Sequence, residues 1–346
     1  MMRSALLSPL SVLGAAMLVV STPALADVMG VKTGQLANVC DTTFVASRIG
    51  DPEWVILDGR DKDDYAAGHL PGAVSFGKTV VTVLKHPADG RVAPVARAEE
   101  LLGKLGVGND KKLIVYGAAG DYHVTIEQYP IYLGVKDFCY LDGGFEAWTA
   151  EKRPVSTEPV QPRATVFKAS IANPGMYLST AELIALVQGG AKGFVFVDTR
   201  SAKEFNAEEN TVIRGGRIPG AINIEVKSNL DPKTGKLLPL DQLAKVYSKV
   251  PKDQAVVLYC HRGCRTGYAF YALKALGYPD VRVYEDGYVV WGNRFDTPVE
   301  NEHYFNLRPF ASRISALEKS NEELEAKVEA LSAELAKLRP ARKTKG

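Results

Sequence analysis

The sequence has few cysteines and almost no net charge. Only four cysteines occur in 346 residues, too few for a small fold held together by disulfides. The formal net charge is +2, whereas a nucleic-acid-binding surface usually shows as a basic excess, so nucleic acid is not an expected partner. After the first residues, no apolar run approaches the ~20 residues that a membrane-spanning helix needs. No Cys and His residues have the spacing of a zinc site, and we expect neither a metal nor a cofactor.

The N-terminus is typical of an export signal. Arg3 is followed by a mostly apolar stretch over residues 6–20 and by an A-x-A motif that ends at Ala26. The alternative is a membrane anchor, but polar residues and a proline interrupt the stretch, and it is too short to span a bilayer. We therefore expect cleavage of residues 1–26 near Ala26, a mature chain starting at Asp27, and a periplasmic or secreted protein.

Four motifs occur twice in the same order. They are residues 55–60 and 195–200, 69–74 and 217–222, 113–116 and 256–259, and 142–148 and 285–291. The offset is 140 residues between Asp58 and Asp198 and 143 between Trp148 and Trp291, so the chain contains an internal repeat. Each copy alternates short β-branched strands with helical stretches. This pattern predicts two α/β domains, each built around a mainly parallel sheet.

The motifs together resemble the rhodanese superfamily, in its two-domain form. They are a strand ending in Asp-x-Arg, a Pro-Gly-Ala segment, a cysteine loop and an Asp-Gly-aromatic-x-x-Trp segment, and the resemblance covers residues 35–298. It implies a rhodanese-like domain without a catalytic cysteine over 35–155 and a catalytic one over 178–300, each with helices flanking its sheet. The polar, proline-containing stretch 156–177 between them is predicted to be a linker.

Cys260 is the candidate nucleophile. The apolar strand 255–259 delivers it to the carboxyl end of the sheet, where open α/β sheets bind ligands. The loop that follows would aim backbone N–H groups at the sulfur and favour a thiolate. Gly263 is suited to the tight bend because it has no Cβ. The alternative is a buried structural thiol.

By resemblance, the reaction is that of a thiosulfate sulfurtransferase. Thiosulfate would leave sulfite and a Cys260 persulfide, and cyanide or a thiol would then accept the sulfur. In the family, basic residues directly after the cysteine accompany thiosulfate and small neutral ones accompany mercaptopyruvate, so His261 and Arg262 favour thiosulfate. Arg262 and Arg265 are candidates for binding the sulfonate oxygens. The predicted substrate-binding residues are His261, Arg262, Gly263, Cys264, Arg265 and Thr266, with Asp198 and Arg200 as structural support.

Other functions remain open at this point. The same cysteine could serve mercaptopyruvate or relay a persulfide to a partner protein, or the fold could be a binding module without turnover. Tyrosine phosphatases also use a Cys-loop-Arg site, but they place five residues between the two, and only four separate Cys260 from Arg265. The first copy has Gly117 in place of Cys260 and Tyr122 in place of Arg265, so it is not expected to form a persulfide.

The remaining cysteines have two interpretations each. Cys264 could resolve a persulfide through a disulfide with Cys260, or it could be a passive thiol. Cys40 and Cys139 could form a disulfide, which would suit an exported protein, or Cys139 could be a small core residue.

The C-terminal segment 312–339 has a heptad pattern. Positions a are Ile314, Asn321, Val328 and Leu335, and positions d are Leu317, Leu324, Leu331 and Leu338. Charged pairs at g and e, Arg313 with Glu318 and Glu334 with Arg339, fit a parallel two-stranded coil. We expect a coiled-coil helix that forms a homodimer or another oligomer, followed by a basic tail over 340–346; a single solvated helix is the alternative.

Overall fold

The two copies of the repeat are visible in the structure as two α/β domains followed by a long helix. The structure is a computed structural model, and it describes residues 36, 38–77, 94–121, 128–135, 137–171, 173–305 and 308–338. The predicted signal segment 1–26, Tyr122 and the basic tail 340–346 lie outside the described residues.

The first domain has a five-stranded sheet in the order β1-β5-β4-β2-β3, with every neighbouring pair parallel. Its elements are β1 (Val39–Cys40), α1 (Thr42–Ala46), β2 (Trp54–Asp58), α2 (Lys62–Ala67), β3 (Val74–Ser75), α3 (Val95–Lys104), β4 (Lys112–Tyr116), α4 (Gln128–Tyr132), β5 (Phe138–Leu141) and α5 (Gly144–Ala150).

The second domain repeats this topology, with the parallel order β6-β11-β10-β7-β9. Its elements are β6 (Tyr177–Leu178), α6 (Thr180–Gln188), β7 (Phe194–Asp198), α7 (Ala202–Phe205), β8 (Arg214–Arg217), β9 (Ile222–Asn223), α8 (Leu240–Val246), β10 (Ala255–Tyr259), α9 (Gly267–Ala275), β11 (Val281–Tyr284) and α10 (Gly287–Trp291). Ser179 and Glu182 form a capping box at the start of α6.

The central strands of both sheets are apolar on both faces because helices cover the sheet on each side. In β10, the four residues Val256 to Tyr259 are buried, and Tyr259 pairs in register with Asp198 at the end of β7. The carboxyl ends of these two strands therefore meet at one edge of the sheet. Cys260 follows Tyr259 directly, so the fold places it at that edge.

A buried Asp-x-Arg pair supports the same edge in both domains. Nε and Nη2 of Arg200 donate to the Asp198 carboxylate, Nη2 also donates to the Gly216 carbonyl at 2.7 Å, and the guanidinium lies over the Tyr288 ring. Arg60 makes the same bonds to Asp58 and to the Gly68 carbonyl. Because the pair is complete in the copy that has no cysteine, it does not depend on the cysteine. The supporting role predicted for Asp198 and Arg200 stays a prediction.

The predicted linker packs on the first domain, and buried residues of the two domains contact each other. Segment 156–171 runs along the first domain, where Thr165 N donates to Gly103 O and Phe167 is buried in the core. One continuous cluster of buried apolar residues includes members of both domains. Across the interface, the hydroxyls of Tyr140 and Tyr268 are 3.0 Å apart. The linker therefore packs as part of the first domain.

Two further elements complete the chain. Strand β12 (Glu300–Tyr304) pairs antiparallel with β8. Arg217, which stands at the position of His69 in the first copy, forms an ion pair with Glu300 of this strand. Helix α11 (Arg308–Leu338) follows, and from residue 317 to 333 its side chains are exposed. Within the described residues, no helix combines the length and the apolar character needed to cross a membrane.

Candidate active site

Cys260 lies at the bottom of a closed loop at the carboxyl end of β10. Its side chain is buried, with 1% of its surface exposed. The loop residues 261–263 curl around the sulfur, and a short 3₁₀ turn, Cys264–Thr266, leads into α9. The hydroxyl of Thr266 donates to the Gly263 carbonyl at 2.6 Å and closes the loop from below.

Two backbone N–H groups point at the sulfur. Gly263 N lies 2.9 Å and Arg265 N lies 3.4 Å from Cys260 Sγ. Amide donors that converge on one atom form an anion nest, and such a nest stabilises negative charge that the sulfur carries during a displacement. This is the arrangement predicted from the sequence, and it equips Cys260 to act as a nucleophile.

Two glycines permit the loop to close. Gly263 has φ +87°, and a Cβ at this position would lie 2.6 Å from Oε1 of the buried Glu285. Gly287 has φ +73°, and its Cβ would lie 2.5 Å from the His261 carbonyl oxygen. Beside it, Tyr288 N donates to Cys260 O at 2.8 Å, which fixes the first residue of the loop to α10. The loop is therefore held between its own strand and the segment 285–288.

His261 is uncharged at neutral pH. Burial lowers the pKa of His261, the charges of the neighbouring arginines act in the same direction and the charge of Glu204 opposes them, so that the pKa is about 4. The positive charge that the sequence suggested for this position is therefore absent from the folded site.

The two arginines of the loop have different surroundings. Arg262 is exposed and forms no ion pair with any described residue. Arg265 instead places its guanidinium on Glu204, with Nη1 2.5 Å from Oε2 and Nη2 2.9 Å from Oε1. The geometry therefore favours Arg262 over Arg265 for binding the oxygens of an anionic donor.

The other cysteines differ in state. Cys40 and Cys139 are joined in a disulfide between the neighbouring strands β1 and β5, with Cα atoms 5.8 Å apart. Cys264 is buried and is not part of a disulfide, and its sulfur lies 3.8 Å from the Arg262 carbonyl oxygen. The proposed resolving role of Cys264 stays a prediction.

The corresponding loop of the first domain is filled by protein. Gly117 stands in the cysteine position, and Ala119 N donates to the carboxylate of Glu146 at 2.6 Å. The backbone of Gly235, from the second domain, packs directly on this loop, so that a Cβ on Gly235 would lie 2.7 Å from Gly120 N. Nearby, Leu237 N donates to Asp142 at 2.9 Å. The silent loop is therefore part of the interface between the domains.

Two acidic residues beside the active loop were not predicted from the sequence. Glu204 has a recognisable local signal, the Ser201-x-x-Glu204 pattern that forms a capping box on α7, but this pattern does not reveal its contact with Arg265. Glu285 occupies the position of Asp142 in the repeat and is buried against Gly263. Within the described residues, no group of three His, Cys, Asp or Glu side chains converges as a metal site would.

Comparison with known proteins agrees with this site. The rhodanese-like domain family matches residues 41–151 and 179–294. A thiosulfate sulfurtransferase from Azotobacter vinelandii is 30% identical over 77% of this chain and 97% of its own length. A 3-mercaptopyruvate sulfurtransferase from Escherichia coli K12 is 28% identical over 74% of this chain and 95% of its own.

A solved structure gives the same fold. The anaerobic ergothioneine biosynthesis enzyme from Chlorobium limicola, in complex with trimethyl histidine, aligns with a TM-score of 0.68 over 76% of this chain and 70% of its own. At 22% identity, this likeness concerns the fold alone.

The duplicated α/β fold and the amide-lined cysteine loop define a protein that transfers sulfur through a cysteine. The family match covers both domains, and the sulfurtransferase relatives extend over most of the chain. The chain belongs to the rhodanese family, and it is a tandem rhodanese-type sulfurtransferase.

Proposed function

We propose that the protein is a thiosulfate sulfurtransferase that carries sulfur as a persulfide on Cys260. The observation that carries the proposal is the pair of N–H groups, from Gly263 and Arg265, directed at the Cys260 sulfur. The exposed cation of Arg262 at the rim of the loop supports an anionic donor. Three relatives that are 29–30% identical to this chain are named thiosulfate sulfurtransferases, which supports thiosulfate as the donor.

The reaction has two displacements. The Cys260 thiolate attacks the outer sulfur of thiosulfate, a new S–S bond forms, and sulfite leaves with the electron pair of the broken S–S bond. The terminal sulfur of the persulfide then bonds to cyanide or to a thiolate, and Cys260 leaves as a thiolate. The products of this second step are thiocyanate or an acceptor persulfide. The N–H groups of the loop stabilise the negative sulfur before and after each step.

Mass spectrometry of the intact, reduced protein tests the proposal. Thiosulfate is expected to add one sulfur atom, cyanide is expected to remove it, and Cys260→Ser is expected to take up none. Cys264→Ser serves as the matched control, because it removes a buried thiol from the same loop and is expected to keep the sulfur uptake. A folded, reduced wild-type protein that gains no sulfur would exclude thiosulfate as the donor.

We also propose that α11 pairs with the same helix of a second copy in a parallel coiled coil. The helix has 31 residues, a length of about 46 Å at 1.5 Å per residue. The apolar side chains at a and d are between 55% and 62% exposed in the single chain, namely Leu317, Leu324, Val328 and Leu331. Pairing would bury this stripe, and the flanking charges predicted at g and e favour two strands in the same direction.

Sedimentation equilibrium tests the oligomer. The wild-type protein is expected to be a dimer, and Leu324→Glu is expected to be a monomer because it places a charge in the apolar seam. Lys319→Glu, on the outer face of the same helix, introduces the same residue and is expected to remain dimeric. A monomeric wild-type protein at micromolar concentration would contradict the proposal.

We further propose that the protein is exported and functions in the periplasm or outside the cell. The signal-like segment ending at Ala26 supports export, and the disulfide between Cys40 and Cys139 suits an oxidising compartment. N-terminal sequencing of the protein from fractionated cells is expected to give a mature start at Asp27. A full-length chain in the cytoplasmic fraction would overturn the proposal.

A further inference from the structure

The Glu204–Arg265 ion pair is the strongest contact between the active loop and its neighbour α7. It is a two-bond pair of a carboxylate and a guanidinium, and both side chains are less than one-fifth exposed. Glu204 is itself held at the start of α7, since its Oε2 accepts from the Ser201 backbone N–H and hydroxyl. The guanidinium therefore has one fixed position.

The backbone of Arg265 serves the sulfur while its side chain faces Glu204. The Arg265 N–H lies 3.4 Å from Cys260 Sγ. A side chain anchored at its far end restricts the backbone atoms at its near end. Arg265 therefore connects Glu204, through its side chain, to the sulfur, through its backbone.

The silent domain provides an internal comparison. The buried Asp-x-Arg pair is complete in both copies, as Asp58 with Arg60 and Asp198 with Arg200. In the first copy, Asp64 stands at the Glu204 position and a tyrosine stands at the Arg265 position. The Glu–Arg combination therefore occurs at these positions only in the copy that keeps the cysteine, which associates the pair with the cysteine loop.

We propose that Glu204 is a positioning residue for sulfur transfer: it holds the guanidinium of Arg265 so that the Arg265 backbone N–H is directed at Cys260. The guanidinium of Arg265 is thereby withheld from the donor, and the donor oxygens are left to Arg262. The proposal deepens the function proposed above and rests on it. It assigns to Glu204 a role that acts through Arg265.

Steady-state kinetics with thiosulfate test the proposal through Glu204→Gln and Arg265→Gln. Glutamine keeps the capping box of α7, so Glu204→Gln is expected to fold normally. Both variants are expected to lower kcat about tenfold, less than the ~10²–10³ found for loss of a whole oxyanion donor, because the N–H is misdirected and not removed. KM for thiosulfate is expected to stay unchanged, and the double variant to be no slower than the slower single variant.

The opposite pattern of KM values would overturn the proposal. If the Arg265 guanidinium binds the donor, Arg265→Gln raises KM, whereas Glu204→Gln frees the guanidinium and lowers KM. Wild-type kcat in Glu204→Gln would overturn it as well. Glu209→Gln is the matched control, because it breaks an exposed ion pair with Lys203 in the same segment and is expected to have no effect.

A second measurement separates this inference from the identity of the donor. The alkylation rate of Cys260 by iodoacetamide, an uncharged reagent, is followed by peptide mass spectrometry, with Cys264 as a separate peptide. Slower alkylation of Cys260 in both variants is expected even if thiosulfate proves not to be the donor. Alkylation at the wild-type rate in both variants would refute the positioning role.

Discussion

Replacing Gly263 by alanine is expected to slow sulfur transfer strongly, while the protein still folds. At φ +87°, any residue with a Cβ is strained by about 1–3 kcal/mol. The new Cβ would also lie 2.6 Å from Oε1 of Glu285, which is only 3% exposed and has little room to move. The loop is therefore expected to shift, and with it the Gly263 N–H that lies 2.9 Å from Cys260 Sγ.

The cysteine loop and the corresponding loop of the first domain provide a matched pair of variants. Gly120 occupies the same position in the silent loop, with φ +69°, but a Cβ there would meet its nearest atom at 3.5 Å, an ordinary contact. Gly120→Ala thus adds a similar backbone strain without the clash. Gly263→Ala is expected to slow persulfide formation by about 10²-fold, the cost of losing one well-placed N–H donor, and Gly120→Ala is expected to keep the wild-type rate.

The assay is persulfide formation followed by rapid acid quenching and mass spectrometry, with thermal unfolding of both variants as the measure of stability. Similar losses of stability with widely different rates are expected. The reasoning would be refuted if Gly263→Ala took up sulfur as fast as Gly120→Ala, because the N–H would then not matter to the thiolate.

Three further results are expected. The disulfide links two residues that are 99 positions apart and so restricts the unfolded chain. Replacing Cys40 and Cys139 with serine should therefore lower the free energy of unfolding by about 2–5 kcal/mol in urea titrations, with sulfur uptake retained. Burial raises the pKa of Glu204, but its bonds to Arg265 dominate and lower it from 4.5 to about 2. The stability that this shift provides is present above pH 4.5 and is lost as the pH falls towards 2; denaturant titrations of Glu204→Gln should lack this loss. Because the pKa of His261 is about 4, His261→Gln should leave the pH profile of sulfur uptake between pH 5.5 and 8 unchanged in stopped-flow measurements.

Much of the fold could be predicted from local patterns. The duplicated Asp-x-Arg, Pro-Gly-Ala and Trp motifs predicted two α/β domains, and the strand before Cys260 predicted the position of the sulfur at a sheet edge. These predictions depend on strand periodicity and on motifs of neighbouring residues. Both kinds of pattern can be recognised in a single sequence.

The ionic environment of the site was not predictable in the same way. Arg265 and Glu204 are 61 residues apart, and nothing in the local sequence of either shows that they meet. His261 counted as a basic residue in the sequence, whereas burial, which depends on the whole fold, leaves it neutral. Long-range contact and desolvation are the two effects that single-sequence reasoning lacks.

The filled loop of the first domain changes how the duplication is understood. A glycine from the second domain, Gly235, packs against Gly120, and the Ala119 N–H donates to the Glu146 carboxylate. A cysteine placed at Gly117 alone would therefore stand in a loop whose described residues already have other contacts. The copy without the cysteine thus contributes a surface on which the second domain packs, and only the second domain keeps the cysteine loop.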